Sequence, residues 1–70
     1  MKPPIALHLP DYPDMDLTAI LTPCEEGGFS VRCPEISGAI SQGETEEEAM
    51  DNIKEATAGL LAMRDEMGGQ

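Results

Sequence analysis

Three features of the chain predict an α+β domain, a small antiparallel sheet with one amphipathic helix packed on one face. Two runs of β-formers flank an acidic, glycine-containing turn. A third short run closes on a glycine, and a capped segment of helical periodicity follows it at once. The 70 residues allow one such domain and no second. Short connections between successive strands make the sheet antiparallel and leave the helix across one face.

Residues 1–14 are rich in proline, with Pro3, Pro4, Pro10 and Pro13 around an alternation of Ile5, Leu7 and Leu9 with Ala6 and His8. Flanking prolines confine any strand here to a sheet edge. The segment reads equally as a fourth, edge strand, as a reach across to a neighbouring subunit, or as a free arm. The run Met15 to Pro23 is rich in β-formers and ends at proline, which predicts a strand. Glu25-Glu26-Gly27-Gly28 is a hairpin turn. Phe29 to Cys33 alternates apolar and polar residues as a half-buried strand does. Pro34 to Gly38 forms a bend, and Ala39 to Gln42 is a third short strand. The core sheet therefore has three strands, or four if the N-terminal run joins. The predicted organisation is an arm or edge strand over 1–14, the β-β-β-α domain over 15–67, and a tail over 68–70.

The helix opens at Glu44-Thr45-Glu46-Glu47-Glu48. Thr45 and Glu48 have capping-box spacing, the hydroxyl accepting from a first-turn amide and the carboxylate reaching back to the cap. Glutamates in the first turn also favour the positive end of the helix dipole. Ala49, Ile53, Ala56 and Leu60 then recur at spacings of four, three and four, with Met50, Thr57, Leu61 and Arg64 widening the stripe. The helix is expected to run to about Met67, where Gly68-Gly69 ends it. At about 33 Å for 22 residues it overhangs so small a sheet. Its far end, with Leu60, Met63 and Met67, is then a candidate contact between subunits.

Fourteen acidic residues against four basic ones give a formal net charge of -10. That balance disfavours direct binding of nucleic acid or an anionic membrane surface, and favours a basic protein partner. A chain of this size buries only about 60% of its unfolded surface and needs a disulfide, a metal or an oligomer for added stability. Cys24 and Cys33 flank a strand-like run that a direct bridge would consume, so free thiols in a reducing cytoplasm are expected. Two cysteines and one distant histidine, His8, fall short of a zinc site. Homo-oligomerisation remains. No signal-peptide core and no membrane-length apolar run is present, and we expect a cytoplasmic protein.

The run Gly28-Phe29-Ser30-Val31-Arg32-Cys33-Pro34-Glu35-Ile36-Ser37-Gly38, followed by Ser41-Gln42-Gly43-Glu44-Thr45, Glu47-Glu48-Ala49 and Asn52-Ile53-Lys54-Glu55-Ala56, resembles the HicB-like antitoxin family. That family typically reads glycine-aromatic-strand, Pro-Asp-Leu-Pro-Gly, a Gln-Gly-Asp-Thr turn, Glu-Glu-Ala and an Asn-Ile-Lys-Glu-Ala helix. The resemblance covers about half of the chain. It implies a trimmed ribonuclease-H-like fold and, as function, sequestration of a small basic HicA-type toxin that cleaves messenger RNA. Ser37 replaces the usual second proline, Ala39 a frequent cysteine, and Glu35 the loop aspartate. Family members usually continue into a further strand and a DNA-binding segment. The 70 residues hold neither, so DNA binding is not expected of them. An orphan oligomeric regulator or adaptor without a toxin is the alternative reading.

The candidate partner-binding residues are Glu25 and Glu26 at the hairpin tip, Glu35 in the bend, and Glu44 and Glu47 at the helix start. Helix capping and solvation already account for much of the Glu44 to Glu48 run, and a loop carboxylate such as Glu35 can equally hold its own bend. A metal-dependent nuclease would need several converging carboxylates. Asp16 and Glu48 supply only two and no spacing joins them, so we expect no enzyme, no metal and no cofactor. His8 has no Ser, Cys or Asp partner at a telling spacing and is expected at the surface.

Overall fold

A computed structural model describes the backbone of residues 3–68 and the side chains of residues 3–64. Strands β1 (Ile5–Leu7), β2 (Leu17–Pro23), β3 (Phe29–Arg32) and β4 (Ile40–Gly43) form one sheet in the order β1-β2-β3-β4, and helix α1 (Glu46–Gly68) follows. Every neighbouring pair is antiparallel, with Ala6 opposite Thr18, Leu21 opposite Val31, and Val31 opposite Ser41. The protein is thus an α+β meander of four strands with one helix packed on it. The N-terminal run is the fourth strand, at the edge where its prolines confine it. Its Leu7 and Leu9 are buried in the core, so this segment packs as part of the domain.

The strand pleat divides the residues between two faces. Leu17, Ala19, Leu21 and Val31 point inward, joined by Cys33, Ile36 and Ala39 from the bend. Two successive tight turns build that bend. The amide of Ile36 donates to the carbonyl of Cys33 at 3.1 Å, and the amide of Ala39 to the carbonyl of Ile36 at 3.2 Å. Pro34 presets the first turn, and Gly38, at φ 86°, takes the positive-φ position of the second. The result drops the Ile36 side chain into the core.

The helix meets this face along Ala49, Ile53, Thr57 and Leu61, all buried. That line differs from the expected one. Ala56 and Leu60 are only half-buried, and Arg64 is exposed. A strict spacing of four drifts around the helix, so the contact follows an inclined i, i+4 ridge instead of a stripe parallel to the axis. Leu60 packs beside the core, Met63 is 59% exposed, and the Met67 side chain lies outside the described residues.

Candidate binding site at the acidic end

Strand direction puts two connections at the same end of the sheet. β2 runs up to the hairpin tip, β3 runs down to the bend, and β4 returns to the tip before α1 begins. At the tip the amide of Gly27 donates to the carbonyl of Cys24 at 3.1 Å, and the amide of Cys24 to the carbonyl of Gly28 at 3.0 Å. Glu25 and Glu26 fill the two central turn positions and are exposed. Gly27 and Gly28 sit at φ 105° and 75°, consecutive positive values that glycine alone accepts cheaply.

The tip is held against the helix by backbone contact. A Cβ on Gly28 would lie 2.7 Å from the carbonyl oxygen of Gly43, and a Cβ on Gly43 would meet the Ala49 amide nitrogen. Hairpin, β4 and the first helical turn are stacked without a side chain between them. A cleft of about 400 Å³ opens there, lined by Cys24, Gly27, Gly28, Glu44, Glu48 and Asn52 among others.

The helix start adds its own carboxylates. The Glu48 amide donates to Thr45 Oγ1 at 3.1 Å, the reciprocal half of the expected box being displaced by one residue. Glu48 Oε1 accepts from the amide of Glu44 at 3.3 Å, ahead of the cap. Glu44 and Glu47 are exposed. This end therefore gathers Glu25, Glu26, Glu44, Glu46, Glu47 and Glu48, with no Lys or Arg between 24 and 28 or between 43 and 50. Glu48 is engaged in capping, whereas Glu25, Glu26, Glu44 and Glu47 are exposed at this end and Glu44 borders the cleft.

Glu35 is placed elsewhere, at the opposite end of the sheet. Its carboxylate accepts from the Thr18 amide at 3.1 Å and from the Thr18 hydroxyl at 2.9 and 2.7 Å. It thereby occupies an amide of β2 that β3 is too short to reach. These Thr18 hydrogen bonds hold its pKa below the ordinary carboxylate value. Cys33 Sγ also lies 3.5 Å from Glu35 Oε1. Burial first, and that hydrogen bond second, push the Cys33 thiol up, so it stays protonated and inert. Both cysteines are free, Cys24 exposed and Cys33 buried, at opposite ends of the β2–β3 ladder.

A second cleft, of about 450 Å³, lies at this lower end and is lined by His8, Asp16, Thr18 and Glu35 among others. Asp16 and Glu48 thus border different clefts at opposite ends of β2, and the fold does not bring them together. Among the described residues no group of three or more His, Cys, Asp or Glu side chains is arranged to hold a metal ion, and no helix is long and apolar enough to cross a membrane.

Two features of the site lay beyond the sequence reading. One is the Gly28–Gly43–Ala49 stack. The other is Asn52, whose Nδ2 donates to the Gln42 carbonyl at 2.7 Å. Residues Ile40 and Gln42 turn their backbone groups to the free edge of β4, because the Cys33 amide bonds the Ala39 carbonyl and the pairs alternate. Asn52 therefore covers part of an open strand edge. The asparagine in the motif was the available signal.

Fold and site define a small single-sheet module with one strongly acidic end. The chain belongs to the UPF0150 family. Over 47 residues it is 45% identical to the UPF0150 protein Ta0767 of Thermoplasma acidophilum, a match covering 67% of this chain and 68% of that protein. It is 49% identical over 41 residues to the UPF0150 protein ssl0738 of Synechocystis sp., covering 59% of this chain and 57% of the relative. With ssl0259 of the same organism it shares 38% identity over 39 residues, or 56% and 53%. The chain thus spans little more than half the length of the two Synechocystis relatives. No family model and no solved structure matches the chain.

Proposed function

We propose that the protein is a HicB-like, antitoxin-type binding module that sequesters a small basic protein of the HicA toxin type, and that it acts by occlusion and not by catalysis. The observation that carries this reading is the ordered motif run from Gly28 to Ala56, in a UPF0150 member whose hairpin tip and helix start set exposed carboxylates at one end of the sheet, an acidic rim. Glu25, Glu26, Glu44 and Glu47 present carboxylates from two rigidly stacked elements, which lets them meet a basic surface without prior ordering. Glu35 holds the bend in this reading, its carboxylate being taken up by Thr18.

Attraction of this kind speeds encounter and weakens with salt. Co-purification with the product of a short basic reading frame beside the gene, at low and at high salt, tests it. A complex that forms at low salt and loosens at high salt is expected. Failure to bind any such neighbour at low salt contradicts the antitoxin reading.

A further inference from the structure

The two outer edges of the sheet are guarded unequally. β1 is three residues long and follows Pro3 and Pro4, which keep another strand from pairing with it. β4 carries neither proline nor charge. Its ladder to β3 uses the backbone groups of Ser41, so those of Ile40 and Gln42 point outward. Asn52 takes the Gln42 carbonyl, and the N–H and C=O of Ile40 and the N–H of Gln42 stay unpaired among the described residues. The Ile40 side chain beside them is 68% exposed. From this we infer that the β4 edge takes an extended segment of the basic partner, which joins the four-stranded sheet as a further strand.

Asn52 does not close this edge. Its Nδ2 donates to the Gln42 carbonyl at 2.7 Å, which leaves Oδ1 to accept. A side-chain amide has the donor and acceptor of a peptide group. It therefore passes the ladder on to an incoming N–H that would otherwise meet the Gln42 carbonyl itself.

Charge and pleat describe the occupant. Ser41, Gln42, Glu44, Glu48 and Asn52 line the same cleft, so carboxylates flank the upper half of the edge. Cross-strand neighbours share a face of the sheet. Ser41 and Gly43 lie opposite Val31 and Phe29, on the helix side. Incoming residues opposite them point into the cleft that Glu44 and Glu48 border, and suit lysine or arginine. A residue opposite Ile40 points to the other face and suits an apolar or β-branched side chain. The occupant is thus an extended basic stretch with an apolar residue at an alternate position. A chain of net charge -10 lacks the positive charge to fill that role itself. This mode of capture rests on the function proposed above and deepens it, main-chain pairing supplying affinity and the carboxylates selecting the partner.

Residue-resolved hydrogen exchange of the wild type, alone and with a HicA-type toxin, tests this. In the free protein the amides of Ile40 and Gln42 should exchange fast and that of Ser41 slowly. In the complex the first two should slow by about a hundredfold. Gln42→Pro deletes one outward N–H without touching the ladder to β3, and proline is tolerated at such edge positions. It should keep the far-UV circular dichroism and weaken toxin binding about tenfold, because an incoming carbonyl loses its donor. A complex that leaves both amides fast overturns the edge and spares the function. Binding unchanged by a folded Gln42→Pro variant does the same. Protection that grows with the concentration of the protein alone assigns the edge to a second copy and overturns the choice of partner. No complex at all overturns both readings.

Discussion

The α-carbon of Gly43 faces the backbone of Ala49 so closely that a methyl group on Gly43 would run into the Ala49 amide nitrogen and sit 2.8 Å from its α-carbon. β4 and α1 meet there backbone to backbone, and neither neighbour is a flexible side chain that can step aside. Gly43→Ala should therefore cost about 3 kcal/mol in a urea titration, by displacing the helix start from the sheet. Gly59, in the helix with open space around it, is the matched control. Gly59→Ala should raise stability by up to about 1 kcal/mol, since alanine removes backbone freedom from the unfolded chain.

Thr57 is fully buried and its hydroxyl has no hydrogen-bond partner. A hydroxyl desolvated without compensation opposes folding. Replacing it by the near-isosteric valine, in Thr57→Val, should stabilise the protein by about 1 kcal/mol. Thermal denaturation measures this directly.

Thr45 accepts from the Glu48 amide at the mouth of a helix that carries the acidic rim. Thr45→Ala should lower stability by about 1 kcal/mol. Hydrogen exchange should show the loss concentrated in the first turn of α1, where the unsatisfied amides lie.

Glu35 has a pKa held below its ordinary value by Thr18. A carboxylate depressed in the folded state contributes stability that is present above its unfolded pKa and lost as pH falls through its folded pKa. The gap in urea midpoint between the wild type and Glu35→Gln should thus be widest near neutral pH and close on acidification. A gap that does not change with pH would show that the Thr18–Glu35 pairing plays no part in acid stability.

Thiol labelling separates the two cysteines. Exposed Cys24 should react at once with an alkylating agent, whereas Cys33, buried and with its thiol pKa raised, should react only on unfolding.

Local chemistry was legible in the sequence, and non-local geometry was not. Phe29 to Arg32 alternates, Thr45 caps, and the acidic glycine turn connects β2 to β3 as read. The N-terminal run stayed ambiguous because prolines suit both an edge strand and an arm, and only the burial of Leu7 and Leu9 distinguishes them. The expected helix stripe included Thr57 and Leu61 but was centred on Ala56 and Leu60, whereas the buried line runs one position further round, through Ala49, Ile53, Thr57 and Leu61. Gly43 read as a strand terminator; its close approach to Ala49 depends on two elements meeting in space. Among the candidate site residues, the fold joins Glu25, Glu26, Glu44 and Glu47 at one end. It sets Glu35 at the other, which no spacing along the chain reveals.

The central claim is that the acidic rim captures a basic protein. Isothermal titration with a HicA-type toxin, comparing the wild type with a quadruple variant bearing Glu25→Gln, Glu26→Gln, Glu44→Gln and Glu47→Gln, tests it most directly. Exposed charges at about 0.5 kcal/mol each predict a loss near 2 kcal/mol, about thirtyfold in Kd at low salt, shrinking as salt rises. Equal, salt-independent affinity of the two proteins, or no binding by the wild type, would contradict it.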